Sequence, residues 1–227
     1  LSDIVVHAPY IINLGSYKEN IYELATSFLR TELTRTQAIG SKYLVLHPGA
    51  YTDKDMEYGL NRIVEGLNIV LEDDDLEPII CLETMAGKGT EIGGKFEELA
   101  YIINNVKNND KLGVCFDTCH VHDSGYDIVN DFEGVIKEFD EIVGLDRLHV
   151  MHINGSLNKM GAKKDRHANL GAEEDNPKGK DMIGFDAIYN IVHSKHLENK
   201  VFILETPWLD TKTNLYKEEI ARLRADR

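Results

Sequence analysis

Short runs rich in β-branched and aliphatic residues alternate along the chain with longer stretches whose apolar positions recur at helical spacing and whose other face is charged. The pattern predicts strands over Ile4 to His7, Tyr43 to His47, Ile79 to Glu83, Gly113 to Asp117, Leu148 to Ile153 and Val201 to Glu205. It predicts helices over Lys18 to Ile39, Lys54 to Leu71, Lys95 to Val106, Phe132 to Val143, Phe185 to Ser194 and Asn214 to Leu223. Strand and helix therefore alternate six times.

Strict alternation favours a parallel sheet, because a returning helix is what joins parallel neighbours. No glycine-rich phosphate loop follows any of the six strands, so the nucleotide-binding open sheets lose support and a closed barrel gains it. A TIM (β/α)8 barrel of ~250 residues averages ~31 residues per unit. The units here are slightly longer, so 227 residues hold six of them rather than eight. Leu1 falls almost inside the first strand. The expectation is one TIM-barrel catalytic domain over residues 1–227 that lacks the first two βα units. The stretch from Gly161 to Asp181 reads as an enlarged loop within that domain, and the acidic run Glu72 to Asp75 as a solvated helix end.

The strand ends are where the pattern breaks. His7 closes the first strand, His47 the second, Glu83 the third, Asp117 the fourth and Glu205 the sixth, and His152 lies near the end of the fifth. In a parallel barrel these ends share one mouth, where active sites of this architecture lie. A lone histidine or glutamate at a strand end is usually a capping residue. Six in series are different: unpaired, each would cost several kcal/mol to bury, and a multivalent cation relieves the repulsion between carboxylates. Mixed imidazole and carboxylate donors suit zinc, manganese or iron. His120 follows Asp117 by three residues, and Asp165 and His167 stand two apart in the long loop, where an extended backbone would point them the same way. The set totals five histidines and four carboxylates, enough for three ions. Elsewhere the structural readings are preferred: His193 and His196 complement a helix C-terminus, His122 and His149 lie at the surface or behind the ligands, and Cys81, Cys115 and Cys119 are small packed residues.

Charge and cysteine content narrow the setting. With 25 basic against 39 acidic residues the net charge is −14, which argues against general phosphate attraction and requires positive charge from bound cations if the substrate is a nucleic acid. No apolar run approaches the ~20 residues of a membrane span. Three cysteines without a CxxC pair point to a reducing, intracellular compartment.

At these residues the chain resembles the endonuclease IV family of apurinic/apyrimidinic endonucleases. The matching segments are HAPYIINLG (from His7), LHPGAY (from Leu46), LETMAGKGTEIG (from Leu82), GVCFDTCHVHDSGYD (from Gly113), MHINGS (from Met151), DRHANLG (from Asp165) and LETP (from Leu204), in family order over all six units. The resemblance implies three zinc ions, with manganese acceptable at one position: His7, His47 and Glu83 on one, Glu83, Asp117, His152 and Glu205 on a second, and His120, Asp165 and His167 on the third. It implies hydrolysis of the phosphodiester 5′ to an abasic site, and of 3′-blocking groups, with Glu83, Glu205 and Asp117 as catalytic residues. Tyr10 would wall the abasic-site pocket, Ile11 would lie beside the damaged strand and Arg166 would touch substrate. The partner implied is double-stranded DNA containing abasic sites. No membrane and no obligate protein partner are expected, and the chain is read as a monomer. Two departures stand out: Asn154-Gly155-Ser156-Leu157 replaces an expected Asn-Asp-Ser-Lys, removing a carboxylate behind the ligands and a phosphate-facing lysine, and Phe116 replaces an aliphatic residue. The alternatives are a divalent-metal sugar isomerase or epimerase of the xylose isomerase-like barrel group, which has no use for a third ligand set, and a zinc-bound module without turnover.

Overall fold

In a computed structural model, residues 4–72 and 75–226 are described. The elements run β1 (Val5–His7), α1 (Glu19–Ala38), β2 (Tyr43–Leu46), β3 (Gly49–Ala50), α2 (Met56–Val70), β4 (Ile79–Glu83), β5 (Glu91–Ile92), α3 (Phe96–Asn105), β6 (Leu112–Asp117), α4 (Thr118–Ser124), α5 (Phe132–Ile142), β7 (Leu148–His152), β8 (Gly155–Ser156), β9 (His167–Ala168), α6 (Phe185–Val192), β10 (Val201–Ile203) and α7 (Tyr216–Arg224). All six predicted strands form one parallel sheet in the order β1-β2-β4-β6-β7-β10. The six predicted helices are all present. The sequence pattern missed the short α4 and two small antiparallel ladders, β3 with β5 and β8 with β9.

Local chemistry explains the helices. Asp55 caps α2 by accepting from the Tyr58 N–H at 2.8 Å, and Asp131 caps α5 through the Gly134 N–H at 3.0 Å. Along α1, Tyr22, Ala25, Leu29 and Leu33 fall on one stripe and are buried. Neighbouring helices pack in succession, α1 on α2 and α2 on α3. Of the acidic run, Asp73 and Asp74 lie outside the described residues, while Asp75 pairs with Arg30 at 2.6 Å.

The pleat sorts the core into two layers. Leu44, Leu46, Ile80, Leu82, Phe116 and Met151 face the helices and join the large core, where each fully buried side chain contributes ~1.5–3 kcal/mol. Val45, Cys81, Cys115 and Val150 face the other way and make a small inner cluster, with Val5, Tyr43, Ile79 and Ile203 against it. Two residues further along, the same inward columns end in His7, His47, Glu83, Asp117, His152 and Glu205. Period-two alternation thus stacks the polar residues as the top layer of the inner face. Phe116, the departure from an aliphatic residue, points to the helix side, where it packs on Phe96 and Phe139. The three cysteines are free and buried, as expected of packing residues. Among the described residues no helix is long and apolar enough to cross a membrane.

Candidate metal centre

Glu83 is the hub of the inner top layer. Its carboxylate is fully buried, with Oε2 3.1 Å from both His7 Nε2 and His47 Nε2, and Oε1 2.9 Å from His152 Nδ1 and 3.4 Å from His120 Nδ1. His152 Nδ1 also lies 3.1 Å from Glu205 Oε2 and 3.7 Å from Asp117 Oδ2. Burial alone would raise the Glu83 carboxyl, yet the surrounding imidazoles hold it well below the usual carboxylate range. The reverse applies to His120 and His152: burial opposes their charge, but Asp117, Asp165 and Glu83 around the first, and Cys115 and Glu83 around the second, push both well above 6.5.

The second cluster is built from a helix end and a loop. Asp117 ends β6 and caps α4, its Oδ1 accepting from the His120 N–H at 2.9 Å, while its Oδ2 accepts from Asn154 Nδ2 at 2.7 Å. That cap turns the His120 ring back over the sheet, with Nε2 3.0 Å from Asp165 Oδ1. Burial works against the charge of the Asp165 carboxyl too, but His120 outweighs it and brings its pKa down to about 2. His167 Nε2 completes the group, 3.5 Å from Asp165 Oδ1 and 3.8 Å from Asp117 Oδ2.

The imidazole orientations decide whether a cation fits. In His7, His120 and His167 the Nδ1–H faces a main-chain carbonyl, of Ala8 at 2.7 Å, Thr84 at 2.8 Å and Glu205 at 3.2 Å. Each ring then turns Nε2, the ligating nitrogen, toward carboxylates. His167 Nε2 is buried with no hydrogen-bond partner, a costly state unless an ion takes its lone pair. The donor atoms of His7, His47 and Glu83, of His7, His152 and Glu205, and of His120, Asp165 and His167 each lie within 4.8 Å of one another. The residues fit a set of divalent cations. Seven of the nine sequence candidates line a cavity of about 350 Å³ together with Tyr10, and the other two, Asp117 and His152, are buried against them. Tyr10 is 89% exposed and Ile11 65%, so both project from the rim. Arg166 is exposed, its Nη1 donating to the Asp165 carbonyl at 3.0 Å. A larger cavity along β10, about 860 Å³, has no carboxylate among its lining residues.

Several expectations need correction. Asp165 and His167 do not meet through an extended backbone: β9 begins only at His167, and Asp165 is left-handed at φ 56°. Gly155 leaves room for a carboxylate that bonds main-chain amides rather than a candidate ligand. Asp181 fills that space from the enlarged loop, its Cγ 2.7 Å from where a Cβ on residue 155 would sit, and accepts from the Ser156, Gly171 and Ile183 N–H groups at 3.1, 2.9 and 2.9 Å. Positive charge is not confined to bound ions, since Lys159, Lys163, Lys164 and Arg166 stand exposed on the loop that carries Asp165. His122 is buried rather than superficial, donating to the Asn158 carbonyl at 3.1 Å. His149 stacks on Tyr43 with centroids 5.2 Å apart. His196 lies outside α6 and bonds Glu133 at 3.0 Å, whereas His193 is the residue following that helix.

Residues that carried no sequence signal hold the ligands in place. Asn154 bridges Asp117 and the Glu205 N–H, which donates to its Oδ1 at 3.0 Å. Thr84 accepts the Asp117 N–H at 2.9 Å. Only the Asp-x-x-His spacing at 117–120, a capping residue three positions before a ligand, could have revealed α4 from sequence.

A family model described as xylose isomerase-like TIM barrel matches residues 2–226. The chain is 53% identical to a protein named probable endonuclease 4 from Listeria innocua, over 99% of this chain and 74% of the relative. It is 54% identical to one of the same name from Geobacillus kaustophilus, with the same coverage. The crystal structure of endonuclease IV from Thermus thermophilus superposes with a TM-score of 0.78 at 33% identity, covering 98% of this chain and 73% of that one. A D-tagatose 3-epimerase-like protein shares the fold, with a TM-score of 0.67 at 19% identity.

Proposed function

This chain belongs to the endonuclease IV family of xylose isomerase-like TIM barrels and is a metal-binding nuclease, and from that premise we propose that it hydrolyses the phosphodiester 5′ to abasic sites, and 3′-blocking groups, in double-stranded DNA in a metal-dependent reaction. The observation that carries the reading is the meeting of all nine candidate ligands at one rim, with Glu83 in reach of four imidazoles.

His7, His47 and Glu83 would hold one zinc, Glu83, Asp117, His152 and Glu205 a second, and His120, Asp165 and His167 a third, with manganese acceptable at one position. Bound zinc supplies Lewis acidity, which makes water acidic near neutral pH and neutralises charge on phosphodiester oxygens. Glu83 and Glu205 accept protons or hydrogen bonds from the attacking water and set its line toward phosphorus. Asp117, buried and bonded on both oxygens, keeps the His120 and His152 sides of the centre in register. Three divalent ions against four carboxylates leave the centre net positive, and Lys163, Lys164 and Arg166 extend that field outward, so an acidic chain attracts phosphate locally. Tyr10 forms an exposed wall for an extruded sugar. Lesion selectivity follows because an abasic nucleotide has no base to unstack on leaving the helix. The working unit is a monomer, one barrel domain acting in a reducing, DNA-containing compartment, in keeping with three free buried cysteines.

A duplex carrying one abasic site tests the reading. Incision immediately 5′ to the lesion, abolished by chelator and restored by zinc, is expected. No incision, together with metal-dependent epimerisation of a ketose, would establish the sugar-epimerase alternative instead.

A further inference from the structure

Asp123 lies on α4, three residues beyond His120, and is fully buried. Among the described residues no lysine, arginine or histidine forms an ion pair with it. Its carboxylate instead accepts from Ser156 Oγ at 2.6 Å, Asn158 Nδ2 at 3.0 Å and the main-chain N–H groups of Lys164 and Asp165 at 3.3 and 2.9 Å. Its own carbonyl takes the Lys163 N–H at 2.9 Å. Three consecutive amides of the ligand-bearing loop therefore end on one residue.

That loop is strained. Lys163 and Asp165 have φ of 54° and 56°, a region that side chains other than glycine rarely adopt and keep only where their surroundings fix them. Asp123 supplies the fixing contacts. On the reading of the site as a three-ion centre, we propose that Asp123 is the positioning residue of the third ligand set: it joins the helix of His120 to the loop of Asp165 and so presets Asp165 Oδ1 at 3.0 Å from His120 Nε2 and 3.5 Å from His167 Nε2. Without its carboxylate, Lys164 and Asp165 lose their anchoring hydrogen bonds, Asp165 relaxes toward ordinary backbone angles and it leaves the cluster. The other ligands, held by strand ends and Asn154, stay.

The test measures zinc stoichiometry and stepwise affinity by chelator competition on the full 227-residue chain. Asp123→Ala and Asp123→Ser, whose oxygen is too short to reach the loop amides, should each weaken one ion by roughly 10–100-fold, the range seen when groups supporting metal ligands are removed, and leave two unchanged. Asp123→Asn, which keeps an acceptor oxygen for the amides while Ser156 Oγ turns to accept, should recover most of the loss. Adding Asp165→Ala to either truncation should cost the third ion no more than Asp165→Ala does alone, because Asp123 acts through Asp165. Three ions bound with parental affinities in the truncated variants would overturn the proposal, and so would equal weakening of all three, which marks a merely structural residue. Should the parent chain itself bind fewer than three ions, the three-ion reading falls first, and Asp123 with it.

Discussion

The strand-borne and loop-borne ligands reach the same cavity by different physics. His7, Glu83 and His152 terminate inward columns of a parallel sheet, so the pleat and the ladder hydrogen bonds fix their backbone positions. Asp165 stands on a loop with two left-handed residues, each costing ~1–3 kcal/mol, and keeps its place through contacts to a helix more than forty residues earlier. A rigid scaffold makes strand ligands cheap to place. Loop ligands need a second set of buried polar groups, and those groups decide whether the site closes.

The hub should break most completely. Glu83→Gln leaves four imidazoles facing a neutral amide, and loss of one partner from a buried charged network costs ~3–5 kcal/mol of stability. Incision should vanish and metal content fall at more than one site, read by kinetics and elemental analysis; full metal retention would remove Glu83 from the hub. A sharper contrast comes from His167→Ala, which should empty the loop-borne group alone and lower incision by at least ~10²-fold, with the strand-borne ions still measurable by chelator competition.

Proton competition separates the two states of the site. In the metal-free chain the His120 and His152 pKa values are raised by their anionic neighbours. That contribution to stability is fully present below the ordinary 6.5 and is lost as pH rises through the raised folded values. The metal-loaded chain should behave oppositely, gaining stability with pH as imidazoles shed protons to bind ions. Thermal melts from pH 6 to 9 with and without chelator would show the crossing; parallel curves would mean that the imidazoles do not ligate.

Smaller effects come from the surroundings. Gly155→Ala places a Cβ 2.7 Å from the Asp181 carboxylate, whose three main-chain hydrogen bonds prevent retreat. A loss of ~1–3 kcal/mol is expected, at ~2–4 °C of melting temperature per kcal/mol. Tyr10→Ala should leave stability within ~0.5 kcal/mol because the ring is exposed, and should reduce only the preference for abasic over intact duplex. An unchanged ratio would take Tyr10 out of the pocket.

How much was legible follows the same division. Strand ligands announce themselves because His7 or Glu83 interrupts an apolar run at a fixed place in a repeating unit, and repetition carries the argument. The DTCH and DRH segments were readable as ligands but not as geometry, since α4 is only seven residues long and its cap, Asp117, doubles as a ligand. Asp123 and Asp181 give no signal: both act through main-chain amides, Asp123 on ones about forty residues away, and a single aspartate in a loop or short helix looks solvated until its burial is known. Gly155 illustrates the limit, since the sequence shows a missing side chain but not that the Asp181 carboxylate occupies the space beside it.

Elemental analysis of the full chain, purified without added metal and freed of loosely held ions by gel filtration, tests the central claim most directly. Three zinc equivalents per chain are expected, falling to two in His167→Ala. A single equivalent in the parent chain, or no change on removing His167, would contradict it.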